Sequence, residues 1–465
     1  MTTVLNAVWK RLYQCVPAQL ARVREVGRAA TAFNTNIDAV IKLSGKQLTE
    51  LVQKVGLKNA DLEKDETFLN SPIDVVRGII KCFCNGIAEE WLCEDKKVYE
   101  WLQLNLGYDR LQMGGQAGII ANVLAVLGAT EVCAHTNSLP RLQAQQFLDA
   151  DNLVAADKDG TVHKARDMDC RNDAPLVHWI IEFDAGDSFQ LGDKTYTCPK
   201  SNRFIATYDT ANIELQINDG FVQYLDKVGF DYLILSGYHN LTAERGGAAR
   251  IAATVPMIEH WKRAFPNGII HLELASTQDK KVRQEIIEQL APRVHSVGLN
   301  EREALDALEV VDSQKFAEVT GQKLTAPRLF EILRILKAKF KTPRVQLHFL
   351  GIYLTLQDSG LRITPEQNLR GMMLAATVAA SKAGLGSIEK AENLLWAKDM
   401  PIGAASLENV RQLAEYLQKP QLAECGMATI NGLDLIAVPT IVVEKPKTLV
   451  GMGDTISSIS LVGAR

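Results

Sequence analysis

Short apolar runs alternate with longer stretches of helical periodicity along most of the 465-residue chain. Ala29 to Phe33, Phe230 to Ser236, Gly268 to Leu274, Val294 to Gly298, Val345 to Leu350 and Leu435 to Val443 are short, apolar and rich in β-formers. Between them, Gly246 to Phe265, Lys280 to Leu290, Glu301 to Val310, Ala326 to Lys339 and Leu369 to Ala383 place apolar side chains at helical spacing. Apolar strands joined through helices predict an α/β fold with a mostly parallel sheet covered on both faces. At the N-terminus, Leu5, Val8, Trp9, Leu12 and Tyr13 form one stripe, so Met1 to Val26 reads largely as an amphipathic helix.

Two stretches break this rhythm. Residues 35–113 are charged and helical, and residues 158–227 carry alternating strand patterns such as Val177 to Phe183 and Arg203 to Tyr208. Together they are expected to form a smaller, discontinuous α+β lid domain. Residues 1–34, 114–157 and 228–465 then make up the larger domain, and a site between the two would exclude water on closure.

Composition narrows the function. With 51 basic and 55 acidic side chains the net charge is −4, which offers no basic field for nucleic acid and no anchor for an anionic membrane. No apolar run approaches the roughly 20 residues that span a bilayer, and the N-terminus lacks a signal-peptide pattern. A cytoplasmic chain is expected, as a monomer or small homo-oligomer, with its eight cysteines reduced. Cys82, Cys84 and Cys93 lack the second pair that a zinc site needs and read as structural.

Chemistry concentrates near the C-terminus. Gly451-Met452-Gly453-Asp454 precedes a stretch rich in small residues, Thr455 to Ser458. Two glycines before a helix expose amides that suit an anion. An aspartate there repels the anion unless it caps the helix or takes a proton from a hydroxyl attacking a phosphate. Asn36 and Asp38, two apart after the first strand, can bracket a polyol or form an Asx-turn and helix cap. Gly114-Gly115-Gln116 opens another helix of small residues. Its glycines suit close ligand approach or helix packing, and Gln116 suits hydroxyls. His271 and Glu273 share one face of a strand end, while Asn300 and Glu303 follow the next strand. The latter pair reads as a capping box, or Glu303 joins Glu273 as one of two acidic groups at neighbouring strand ends that suit Mg2+. Walker A, Rossmann, GxSxG and HExxH strings are all absent from the sequence.

These motifs resemble, in order and essentially end to end, those of the ADP-dependent sugar kinases, the glucokinase and phosphofructokinase group of the ribokinase-like superfamily. The matching blocks are Trp9 to Tyr13, Asn34 to Asp38, Gly114 to Gly118, Asn202 to Ile205, Ser296 to Glu301 and Val450 to Ser458. The resemblance implies a large ribokinase-like domain with a lid, ADP as phosphoryl donor and a divalent cation such as Mg2+. It implies Asp454 as catalytic base, Gly451 and Gly453 as anion hole, and Arg203 on the transferred phosphate. Asn36, Asp38, Glu90, Gly115, Gln116 and His178 are implied at the sugar. His348, Asn300, Val443 and Gly453 are implied at the nucleotide, and Glu273, Glu303 and Asp454 at the metal. Glu90 and His178 resemble the glucokinase pattern, which favours glucose over fructose 6-phosphate. Lys164, Arg166 and Arg171 could instead supply a sugar-phosphate site, as in a phosphofructokinase or a bifunctional enzyme.

Overall fold

The computed structural model describes residues 2–64 and 67–465. Among these, eleven strands form one sheet. Their spatial order is Met427–Ile430, Leu433–Pro439, Ile352–Asp358, Arg344–Phe349, Ser296–Asn300, Ile269–Glu273, Tyr232–Leu235, Arg28–Ala32, Glu131–Ala134, Leu153–Ala156 and Val162–Lys164. The strands from Arg344–Phe349 across to Leu153–Ala156 are parallel to one another. Antiparallel strands flank them on both sides. Trp9, Trp261, Leu333 and Met372 are fully buried in the core formed where helices cover this sheet.

A second sheet orders Glu89–Leu92, Asn202–Tyr208, Val177–Phe183, Asn36–Lys42 and Arg110–Gly114. One face sends Ile37, Trp91, Trp179, Ile181 and Phe204 into a separate core against the helix Pro72–Asn85. Register and alternation put Asn36, Asp38, Glu90, His178, Arg203 and Thr207 on the opposite face. The chain passes between the sheets at 33–35, at Gly115 and after Tyr208. Gln143 Nε2 and Asn212 Nδ2 both donate to the Thr35 carbonyl at one of these crossings, at 3.2 and 3.1 Å.

Several expected elements differ. The N-terminal stripe divides into Thr2–Tyr13 and Val16–Val23, with Pro17 in the first turn of the second helix. The strand expected to reach Val443 stops at Pro439, because proline has no amide hydrogen to extend the ladder. The 294–298 strand is Ser296–Asn300, so it runs on to the residue that caps the next helix. Lys280 to Leu290 is α-helical only to Glu285 and continues as a π-helical turn. Residues 35–113 contain three strands that their charge obscured. Within 158–227, Val162–Lys164 edges the large sheet, and Phe221 and Leu225 lie in the large core; these segments depart from the expected lid boundary.

Candidate active site

The helix Met452–Val462 starts at Gly451, whose φ of 62° is left-handed and costs glycine little. No side chain caps this helix, so its first amides face outward. A Cβ on Gly453 would stand 2.9 Å from His348 Nε2, so glycine lets that imidazole lie against the turn. Half-buried Asp454 follows, and its Oδ1 accepts from Gln116 Nε2 at 3.0 Å. The same amide donates to the Leu274 carbonyl at 3.2 Å, which ties Gln116 to the end of a central strand. Burial raises the Asp454 pKa, and the Gln116 hydrogen bond and Lys382 oppose the rise. The carboxylate is therefore a better base than one in water.

Two more carboxylates stand at neighbouring strand ends. Buried Glu273 takes a hydrogen bond at Oε2 from His271 Nε2 at 3.0 Å, if that nitrogen carries the proton. His271 also reaches Ser296 Oγ at 2.9 Å and Ser457 Oγ at 3.1 Å, and buried Arg344 donates to Ser296 Oγ at 2.8 Å. Burial, then the charges of Asp454 and Glu303, hold Glu273 well above the carboxylate range. Asn300 accepts from the amides of Arg302 and Glu303, while its own amide and Nδ2 donate to the Glu303 carboxylate at 2.8 Å each. The capping box is real. Glu303 is nonetheless pushed up to about 8, chiefly by burial, against its backbone hydrogen bond and with Asp454 adding. Gly298 lies at the centre of this cluster. A Cβ there would meet Ser457 Oγ at 2.0 Å, Glu273 Oε2 at 2.2 Å and His271 Nε2 at 2.9 Å.

The polar face of the smaller sheet adjoins Gln116. Asn36 Nδ2 donates to Asp38 Oδ1 at 2.9 Å, so the pair does point one way. Gly114 and Gly115 make room for them, since Cβ atoms would meet Asp38 Oδ1 at 2.1 Å and the Asn34 carbonyl at 2.5 Å. Packing against Asn34, Asn36 and Asp38 therefore accounts for glycine on the side that a Cβ would occupy. Glu90 belongs to the polar face and accepts from Thr207 Oγ1 at 2.5 Å. Glu89 turns away to Trp91 Nε1 and Lys81. His178 Nε2 meets Asp209 Oδ2 at 3.0 Å, and its Nδ1 faces Glu90 Oε1 at 3.9 Å. Burial alone would lower its pKa, but Asp209, then Glu90 and Asp38, raise it to about 9. The ring is an imidazolium at neutral pH.

Some of the buried polar atoms left without partners lie elsewhere in the fold, as at Arg77 Nε and Ser406 Oγ, but Asn36 Oδ1, Gln116 Oε1, His239 Nδ1 and both ring nitrogens of His348 lie along the cleft. Burial lowers His348 to about 4, so it is a neutral ring. Unmatched buried polar groups are costly, and those along the cleft are free to pair with a ligand.

Asp454, Gln116, Gly451, Gly453, His348, Glu273, Glu303 and Asn300 are brought together, and Asn36, Asp38, Glu90 and His178 join through Gly115. Arg203 is exposed at the far end of the polar face, across from Glu182 and apart from Asp454. Val443 packs on the large core and shares none of these contacts. Among the described residues, no three His, Cys, Asp or Glu side chains converge to hold an ion. Glu273, Glu303 and Asp454 each hold a hydrogen bond in this arrangement, to His271, Asn300 and Gln116. An oxygen-only donor set carrying excess negative charge still fits a hard dication held through its waters. Sequence reasoning missed Lys382, Asp209, His239 and Ser457. A lone lysine in the small, apolar helix after Leu369 was the readable signal for the first. The others have none that spacing reveals.

A family model described as the ADP-specific phosphofructokinase/glucokinase conserved region matches residues 27–463. An ADP-dependent glucose/glucosamine kinase from Pyrococcus abyssi is 32% identical over 466 residues, covering 98% of each chain. Among solved structures, the last common ancestor of ADP-dependent phosphofructokinases from Methanosarcinales gives a TM-score of 0.84 at 28% identity, covering 100% of this chain and 98% of that one. An ADP-dependent kinase in complex with fructose 6-phosphate and ADPbetaS gives 0.82 at 28% identity, covering 98% and 97%.

Proposed function

This chain belongs to the ADP-specific phosphofructokinase/glucokinase family and is an ADP-dependent sugar kinase, and from that premise we propose that its acceptor is glucose, with Asp454 as base. The observation that carries the base is the Gln116–Asp454 hydrogen bond. It joins the helix that abuts the polyol-facing pair Asn36 and Asp38 to the uncapped helix start at Gly451. Gln116 occupies one Asp454 oxygen and leaves the other for the hydroxyl proton. The freed oxygen attacks the β-phosphorus of ADP in line, and AMP leaves. The turn amides take the charge that builds on the phosphoryl oxygens, and Arg203 adds to them when its face closes on the cleft. His348, against the turn at Gly453, is the side chain placed to meet the nucleotide. Mg2+, held through water by Glu273 and Glu303, would neutralise the phosphates when bound.

Glucose is favoured by charge. Glu90 and Asp38 face the sugar side, and carboxylates accept from hydroxyls but repel a phosphate dianion. All three cations that could hold a sugar phosphate are engaged elsewhere, Arg171 by Asp169 at 3.3 Å. Lys164 pairs with Asp149 and Asp151, and Arg166 donates to the carbonyls of Gln145 and Phe147. Arg171 lines a cavity of about 650 Å3 with Lys158, but Asp157, Asp159, Asp173 and Asp219 share it. The deciding measurement supplies purified protein with glucose or fructose 6-phosphate and with ADP or ATP. Turnover only with glucose and ADP is expected. Preference for fructose 6-phosphate would overturn the acceptor assignment, and an Asp454→Asn protein with wild-type turnover would overturn the base.

A further inference from the structure

Lys382 lies in the last turn of the helix Pro365–Leu385, and the transfer chemistry proposed for Asp454 gives it no part. A lysine there is ordinarily explained by its own helix dipole. Its Nζ instead reaches across to the first turn of Met452–Val462. It donates to the Gly451 carbonyl at 3.0 Å and to Thr455 Oγ1 at 3.1 Å. The Gly451 carbonyl also accepts from Thr455 Oγ1 at 2.7 Å and from the Thr455 amide at 3.2 Å. Three donors thus converge on the carbonyl of the residue whose left-handed backbone turns the chain into the helix. Among the described residues Lys382 has no other hydrogen-bond partner and forms no ion pair. A cation at a helix N-terminus is on the repulsive side of the dipole. The placement is favourable once an anion occupies the outward amides.

We propose that Lys382 is a positioning residue for phosphoryl transfer: it pins the Gly451 carbonyl, aims the amides of Met452 and Gly453 at the transferred group, and places a fixed positive charge behind them. This rests on the phosphate-binding role assigned to the turn. A cavity of about 250 Å3 lined by Ile119, Asn122, Thr448, Val450 and Lys382 leads to the ammonium, which gives a small amine a route to the same place.

The test uses the full chain with ADP, Mg2+ and whichever of glucose and fructose 6-phosphate the wild type phosphorylates. Lys382→Met should lower kcat about 100-fold, with KM for the sugar nearly unchanged, as a displaced transition-state contact does. Lys382→Ala should regain about tenfold of its lost kcat in ammonium or methylammonium chloride at constant ionic strength, while Lys382→Met, whose side chain fills the space, should not. Thr455→Val keeps the volume and the charge but loses one anchor. It serves as the second variant if removal of the ammonium prevents folding, and should lower kcat about tenfold. A folded Lys382→Met or Thr455→Val protein with kcat within about threefold of wild type overturns the proposal, as does an Lys382→Ala protein that folds but gains nothing from amines. Asp454→Asn run in parallel separates the failures: if it too is active, the site assignment falls; if it is inactive while Lys382→Met is active, only the role of Lys382 falls.

Discussion

The His178–Asp209 pair makes stability depend on pH with a sign and size that follow from the structure. His178 is nearly buried on the polar face and titrates at about 9, against 6.5 for a free histidine. A raised folded-state pKa means that the native state holds the proton more tightly than the unfolded chain. The stabilisation is complete below pH 6.5 and is lost as pH rises through about 9. At about 1.4 kcal/mol per pH unit, the gap is worth about 3 kcal/mol. His178→Gln keeps a donor for Asp209 but cannot titrate. Urea unfolding of both proteins, repeated between about pH 6 and about pH 10, should show the wild type losing about 1.4 kcal/mol more per pH unit than the variant between those two pKa values. Parallel curves would mean that His178 is neutral in the native state, and that Glu90 and Asp38 have no cation between them.

Gly298→Ala should lower kcat about 100-fold, because the new methyl displaces Glu273 or the Ser457 side of the Asp454 helix; steady-state kinetics on a variant with native circular dichroism would show it. The same methyl should cost about 1–3 kcal/mol of stability as overpacking, read from the urea midpoint. His348→Ala should raise KM for ADP while leaving KM for the sugar unchanged, which initial-rate kinetics at saturating co-substrate would resolve. Removing divalent ions with EDTA should abolish turnover, and adding Mg2+ should restore it. Glu303, at about 8 without the ion, should then titrate lower, visible as a change in the pH profile of kcat.

The central parallel strands were legible because burial on both faces leaves a plain apolar run, as in Phe230 to Ser236. Asn36–Lys42 was not, since a strand with Asn36, Asp38 and Lys42 on one face reads like the charged helical segment around it. The turn at the C-terminal helix was legible because glycine is needed there, for a left-handed φ at Gly451 and for the close approach of His348 at Gly453. Gly298 and Ser457 matter only because helix and strand meet in space, and no spacing along the chain shows that they touch. The same holds for Asp209, whose partner His178 lies on a strand some thirty residues earlier, a separation of 31 positions that carries no period.

Arg203 is five residues from Tyr208, where its strand ends beside one of the crossings between the two sheets. At strand rise that is a lever of roughly 17 Å. A swing of about 10° around the crossings would carry the guanidinium about 3 Å, while Asn36, almost on the pivot, would hardly move. A molecule gripped at the pivot would stay put as the tip travelled, so capture of the acceptor and arrival of the arginine would be separate events set by one rotation.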